Sequence, residues 1–291
     1  MRDFEYESPT TLPEALAILA TGPGCRPLAG GTDLIDHVRV GRLAPDVLVD
    51  VKKLPELNIL EAGPKGLRIG AATPCFRIVA HEAIQRDYAA LADSAHIIGG
   101  IQIQNRATFG GNVCTSGPAA DSIPSLIALS AACVIAGPQG TRRVPIEQFC
   151  TGPGKNVLQP GELLVEFELP APGPHSGSHY RRFIPRNEMD IAVVGVGAAV
   201  TLDAGGQTIT AARIALGAVA PTPLLAEQAA QAVIGQPVGE STFQAAGRAA
   251  REIISPITDM RGTAEFRTHV TGVLVERVLQ AAVSRARGGR S

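Results

Sequence analysis

The sequence is short of the features that would commit it to a membrane, a nucleic acid or a metal. No apolar run in its 291 residues approaches the roughly 18 of a membrane span. Its start, Met1-Arg2-Asp3-Phe4-Glu5, sets charges where a signal peptide has its apolar core, so the chain is read as cytoplasmic. Charge of either sign is not in excess: 26 Lys+Arg face 27 Asp+Glu, which leaves no strong field toward nucleic acid or anionic lipid. The five cysteines are scattered, odd in number and without a C-x-x-C pair, and are read as buried thiols, not as disulfides, zinc ligands or cluster ligands. The six histidines, His81, His96 and His175 among them, show no H-E-x-x-H spacing, so no metal site is expected. No G-x-G-x-x-G fingerprint occurs either.

What is present is a pair of glycine doublets in similar settings. One is Leu28-Ala29-Gly30-Gly31-Thr32-Asp33-Leu34 and the other Ala107-Thr108-Phe109-Gly110-Gly111-Asn112-Val113. Each removes side chains where another group must come close, and each sits beside a threonine hydroxyl that can donate to an oxyanion. Successive backbone N–H groups there would form an anion-binding concavity without a lysine, and two such loops can close on one pyrophosphate. The plain alternative is a tight turn at each, since Gly-Gly is a common turn dipeptide.

At this length about two domains are expected. Thr11-Leu12-Pro13-Glu14 reads as a capped helix start, with Leu12, Leu16 and Leu19 on its apolar face. A strand near Leu28, the first glycine loop, a helix and the strand Asp46–Val51 complete an α/β unit over about residues 1–55. A second unit, 56–172, holds a strand at Leu67–Ala71, helices over Leu91–Ile98 and from about Asp121, and a strand at Glu162–Leu169. Pro170–Ser178 is too rich in proline and glycine for a helix or central strand and marks a boundary. Beyond it, residues 179–287 read as antiparallel strands at Ala192–Val200 and Ala212–Val219, then helices at Leu224–Val233, Thr242–Ile254 and Glu265–Ser284. On the last helix Phe266, Val270, Val273, Leu274 and Ala281 share a face at helical spacing, and the tail from Arg285 is read as disordered. The fold class is therefore α+β: two α/β subdomains, then an antiparallel sheet with helices.

In this order, Ala29-Gly30-Gly31-Thr32-Asp33-Leu34, Asn105-Arg106-Ala107-Thr108-Phe109-Gly110-Gly111-Asn112 and Pro118-Ala119-Ala120-Asp121-Ser122 resemble the FAD-binding subunit of molybdenum hydroxylases. That family includes aerobic carbon monoxide dehydrogenase, xanthine dehydrogenases and bacterial N-heterocycle dehydrogenases. The segments Arg186–Ala192 and Asp259–Arg267 resemble its C-terminal domain, so the likeness spans nearly the whole chain. It implies an electron-transfer subunit with FAD in this chain, a molybdopterin-binding large subunit, and a small subunit with two 2Fe–2S clusters, assembled as a dimer of heterotrimers. The acceptor it implies is NAD+, oxygen, a quinone or another oxidant. The chain lacks the cysteine-rich insertion of the hydroxybenzoyl-CoA reductase branch and any His or Cys in the first loop for covalent flavin attachment.

Carried over by residue, the resemblance implies that Ala29, Gly30, Gly31, Thr32, Asp33 and Leu34 hold the pyrophosphate through backbone N–H groups. Thr108, Gly110, Gly111 and Asn112 close the other side, and Asp121 bonds the ribose or adenine end. Leu164 and Ile98 touch the flavin, and Arg182 supplies a cation near its ring. No catalytic acid, base or nucleophile is implied, because the substrate is oxidised on another subunit. The residues themselves leave plainer readings open: Asp121 as a helix cap, Arg182 as a surface cation beside Arg181, and Leu164 and Ile98 as ordinary core. A stand-alone FAD oxidoreductase and a non-redox nucleotide-binding scaffold stay open as alternative functions.

Overall fold

A computed structural model describes residues 2–289. The chain opens with a parallel three-stranded sheet in which Val47–Asp50 lies between Glu5–Glu7 and Cys25–Leu28. The helix Leu12–Leu19 connects two of these strands. It starts where its local chemistry dictates: Thr11 Oγ1 accepts from the Glu14 N–H while Glu14 reaches back to the Thr11 N–H, which satisfies donors that a helix start leaves open. At the carboxyl end of Cys25–Leu28 the chain passes through the first glycine loop into the helix Leu34–Arg39. In open α/β sheets the carboxyl ends of parallel strands are where ligands bind.

The second unit is a five-stranded antiparallel sheet, in spatial order Leu60–Gly63, Gly66–Gly70, Leu163–Leu169, Ala132–Gly137 and Gly140–Pro145. The central strand, Leu163–Leu169, is buried on both faces. Glu166, buried within it, accepts a bidentate bond from Arg68, 2.9 Å at each oxygen. One continuous apolar core joins this sheet, the helix Ala89–Ile97 and the helix Ser122–Ala128, with Phe109, Phe149 and Phe167 fully enclosed.

A four-stranded antiparallel sheet follows, ordered Ser176–Phe183, Val194–Leu202, Ile209–Gly217 and Leu224–Leu225. The helix Ala264–Ala286 covers its first two strands, the helix Glu240–Glu252 packs on that helix, and the three form a second core. Ala215 of this sheet belongs to the first core instead. The helix Ser122–Ala128 lies directly on the sheet, since a Cβ at Gly197 would stand 2.6 Å from the Pro124 carbonyl oxygen.

Several expectations need correction. Leu224–Leu225 is a short strand and only Glu227–Gln231 is helical: Leu224 and Leu225 pair with Leu216 and Ala215, so a strand edge captures the start of the predicted helix. The buried stripe of Ala264–Ala286 runs through Val270, Leu274, Val278, Leu279 and Ala282, whereas Phe266 is exposed and meets Phe183 edge-on at 5.5 Å. The tail is not disordered from Arg285. That helix continues through Ala286, and Arg285 pairs with Asp93 at 2.6 and 2.9 Å; Arg290 and Ser291 lie outside the described residues. Of the five thiols, only Cys75 and Cys133 are fully buried.

Candidate functional site

A cleft of about 970 Å³ lies where the first glycine loop, the second glycine loop and the third sheet meet. All fourteen residues singled out from the sequence line it: Ala29 to Leu34 on one wall, Thr108, Gly110, Gly111 and Asn112 beside them, and Ile98, Asp121, Leu164 and Arg182 across. The Met189-Asp190-Ile191 segment forms part of its rim.

The first loop is open to a ligand. Among the described residues, no backbone N–H from Gly30 to Leu34 donates to another protein group. Gly31 has φ +77°, the left-handed geometry that gathers successive N–H groups into a concavity. Unpartnered backbone donors in sequence are rare unless water or a ligand meets them. Gly30 is glycine for another reason, since a Cβ there would lie 2.1 Å from the Arg106 carbonyl oxygen. The group that comes close to Gly30 is thus the second loop itself, and Arg106 Nε adds a bond of 3.4 Å to the Gly30 oxygen.

The second loop is built otherwise, which corrects the expectation of a matching concavity. It is the start of the helix Phe109–Thr115, capped by Thr108, whose Oγ1 accepts from the Gly111 N–H at 2.9 Å. The Gly110 N–H donates to the Ala71 oxygen and the Asn112 N–H to the Thr108 oxygen. These amides are satisfied within the protein. What the loop offers the cleft is the Thr108 hydroxyl, the space over Gly111, where a Cβ would meet only Thr108 Oγ1 at 3.2 Å, and the Asn112 amide. Asn112 Oδ1 accepts from the Ser122 hydroxyl at 2.6 Å and the Ser122 N–H at 3.2 Å, so its carbonyl ties down the next helix.

Asp121 precedes that helix without capping it. Its carboxylate is gripped by two groups about sixty residues away: the Tyr180 hydroxyl donates to Oδ1 at 2.8 Å and Arg182 Nη1 to Oδ2 at 2.5 Å. Arg182 is not a surface cation; its side chain is only 6% exposed, and its buried Nε has no protein partner. Burial pushes the Asp121 carboxyl up to about 6, against the opposing pull of Arg182 and the Tyr180 hydroxyl. Burial, and then the Asp121 charge, hold the Tyr180 phenol well above its ordinary range. Ile98 and Leu164 are buried core residues that also face the cleft, so the two readings of them coincide.

Sequence reasoning missed Tyr180, Ser122 and the rim segment. The signal for Tyr180 was its i, i+2 relation to Arg182 on one strand, which places both on the same face. Ser122 and the rim segment lie within motifs quoted from the sequence, Pro118–Ser122 and Arg186–Ala192, but were given no role at the site.

Fold and cleft define a protein that seats a nucleotide cofactor: an amide-lined loop at the end of a parallel strand on one side, a buried guanidinium with a donor to spare on the other. The comparisons with known proteins agree. The FAD binding domain in molybdopterin dehydrogenase matches residues 2–172, and the CO dehydrogenase flavoprotein C-terminal domain matches residues 179–282. The xanthine dehydrogenase FAD-binding subunit of Escherichia coli O157:H7 is 35% identical over 291 residues, covering 99% of each chain. The carbon monoxide dehydrogenase medium chain of Hydrogenophaga pseudoflava is 34% identical over 283 residues, covering 97% of this chain and 98% of the relative. Among solved structures, carbon monoxide dehydrogenase from Hydrogenophaga pseudoflava superposes with a TM-score of 0.92 at 35% identity, covering 98% of each chain. The chain belongs to the FAD-binding subunits of molybdenum hydroxylases and is an electron-transfer subunit of a heteromeric oxidoreductase. No helix among the described residues is long and apolar enough to cross a membrane.

Proposed function

We propose that FAD occupies this cleft and that the chain carries electrons from a small iron–sulfur subunit with two 2Fe–2S clusters to an external acceptor. The complex would hold its molybdenum cofactor in a large molybdopterin-binding subunit, assemble as a dimer of heterotrimers and work in the cytoplasm. The observation that carries the site reading is the run of unpartnered N–H groups from Gly30 to Leu34, suited to a diphosphate. Bound FAD supplies the chemistry that links one-electron and two-electron carriers.

The protein's own part is position and electrostatics. Thr108 and Asn112 offer side-chain donors opposite the first loop, and Gly111 leaves room for close approach. Ile98 and Leu164 give an apolar wall that excludes water from the ring. Arg182 presents Nε and positive charge where reduced flavin gathers negative charge. Asp121, 2.5 Å from Arg182, is its counter-ion and so faces the same part of FAD, where it retains lone pairs for a hydroxyl of the ribityl chain and not of the adenosine ribose. With this reading goes a division into an FAD-binding part, 1–172, and a C-terminal part, 179–287; one matched family ends at 172, within the Pro170–Ser178 stretch, and the other begins at 179, just after it.

Purification from the native host tests the proposal. A red-brown, FAD-containing complex with a molybdenum-containing large chain and a cysteine-rich small chain is the expected result. A flavoprotein that elutes alone with full turnover overturns the subunit assignment.

A further inference from the structure

Of the residues around the cleft, Tyr180 has a geometry that a packing role does not require. Its ring is buried, and its hydroxyl reaches Asp121 Oδ1 at 2.8 Å. The room for that hydroxyl comes from the neighbouring strand, where Gly195 stands opposite Arg182 in register. A Cβ at Gly195 would lie 2.7 Å from the Tyr180 oxygen. Tyr180 and Arg182 flank exposed Arg181 on one strand, and each holds one oxygen of the same carboxylate. With Nη1 on Asp121, the Arg182 guanidinium keeps an unpartnered buried Nε at the cleft wall.

We infer that Tyr180 is a positioning residue for the cofactor: by fixing the Asp121 carboxylate it sets the pose in which Arg182 directs its remaining donors at bound FAD. The inference rests on FAD lying in this cleft. Arg182 alone would leave the carboxylate free to swing about its Cβ–Cγ bond. A second donor on the other oxygen removes that freedom, and a guanidinium fork transmits such constraint because it is planar. The hydroxyl also favours the ionised carboxylate, and so keeps the ion pair intact toward lower pH.

Asp121 is faced by Tyr180 and Arg182. The other charged groups along the cleft are Arg26, Asp33, His37, Glu162, which is bonded to Arg142, and Asp190, which lies near Arg186 and Arg261.

The test is FAD titration of the deflavinated, assembled enzyme by fluorescence quenching across pH 5 to 8, with thermal unfolding by circular dichroism as the folding check. Wild-type affinity is expected to fall as the pH drops through about 6, where protonation of Asp121 releases Arg182. In Tyr180→Phe the dissociation constant should rise roughly tenfold at pH 7, and the fall should move to higher pH. Gly195→Ala, which crowds the hydroxyl, should reproduce that displacement and carries the test if Tyr180→Phe does not fold. Asp121→Asn should lose the step, and adding Tyr180→Phe to it should change the constant by less than about twofold. A Tyr180→Phe profile that merely runs parallel to wild type, or losses that add in full in the double variant, would overturn the role of Tyr180. Absence of FAD binding by the wild type would instead refute the placement of FAD in the cleft.

Discussion

The two glycine doublets look interchangeable in sequence and do opposite things in the fold. The first leaves its backbone donors from Gly30 to Leu34 without protein partners and bends through a left-handed Gly31. The second folds into a helix start that satisfies Gly110, Gly111 and Asn112 from Ala71 and Thr108. An anion-binding loop is therefore defined by which amides remain unpaired, and glycine content alone does not report that. The pair works as a unit because Gly30 lets the backbone of the second loop come into contact with it.

The most direct challenge to this contrast is to place the same methyl group in each loop. Gly30→Ala drives a Cβ to 2.1 Å from a backbone oxygen and should cost up to about 3 kcal/mol of stability, with FAD affinity falling roughly a hundredfold. Urea unfolding and FAD titration measure the two effects. Gly111→Ala is the counterpart, with an expected stability change within about 1 kcal/mol in either direction, because alanine favours a helix while Thr108 Oγ1 stands close. A stable Gly111→Ala protein that has lost FAD would mean that the cofactor itself lies against Gly111.

The carboxylates of Asp121 and Asp93 give effects of opposite sign in two places. The Asp121 pKa in the folded protein lies above its ordinary 3.8, so the folded state holds the proton more tightly. Its contribution is largest at acid pH and is lost as the pH rises from 3.8 to about 6, by up to about 3 kcal/mol. Asp121→Asn should flatten that slope in unfolding curves taken across the range. Asp93 runs the other way. Burial would raise it, but His179 and Arg285 outweigh burial and lower it. The stability it contributes is present above 3.8 and disappears as the pH falls through its lowered value.

Smaller effects separate the roles of the second loop. Asn112→Ala strips the acceptor from the Ser122 N–H and hydroxyl and should cost about 1–3 kcal/mol, with FAD affinity reduced because the Asp121 helix loses its tie. Thr108→Val removes the cap on Gly111 for about 1 kcal/mol. If Thr108→Val weakens FAD binding far more than it weakens the fold, the hydroxyl contacts the cofactor as well as the helix.

Local chemistry was legible wherever it stayed local. The Thr11–Glu14 capping box and the strand Val194–Leu202, read from the sequence as Ala192–Val200, need only near neighbours in the chain. Leu224–Leu225 was misread because a short apolar run suits a helix or a strand, and only the edge offered by Leu216 and Ala215 decides between them. Phe266 shares the face of buried Val270 yet is exposed at the start of the helix, because a stripe of spaced apolar residues does not say where the covering sheet ends.

Many of the elements, the glycine loops, the family and fourteen of the residues that line the cleft were written in the chain, because they follow from short-range pattern and from motifs kept in order. Folding was needed to settle which amides stay free, that Arg182 is buried, and that Asp121 answers to Tyr180 and Arg182 instead of capping its own helix. Those outcomes depend on partners about sixty residues away, and a buried polar group takes whichever partner the fold brings within hydrogen-bond reach.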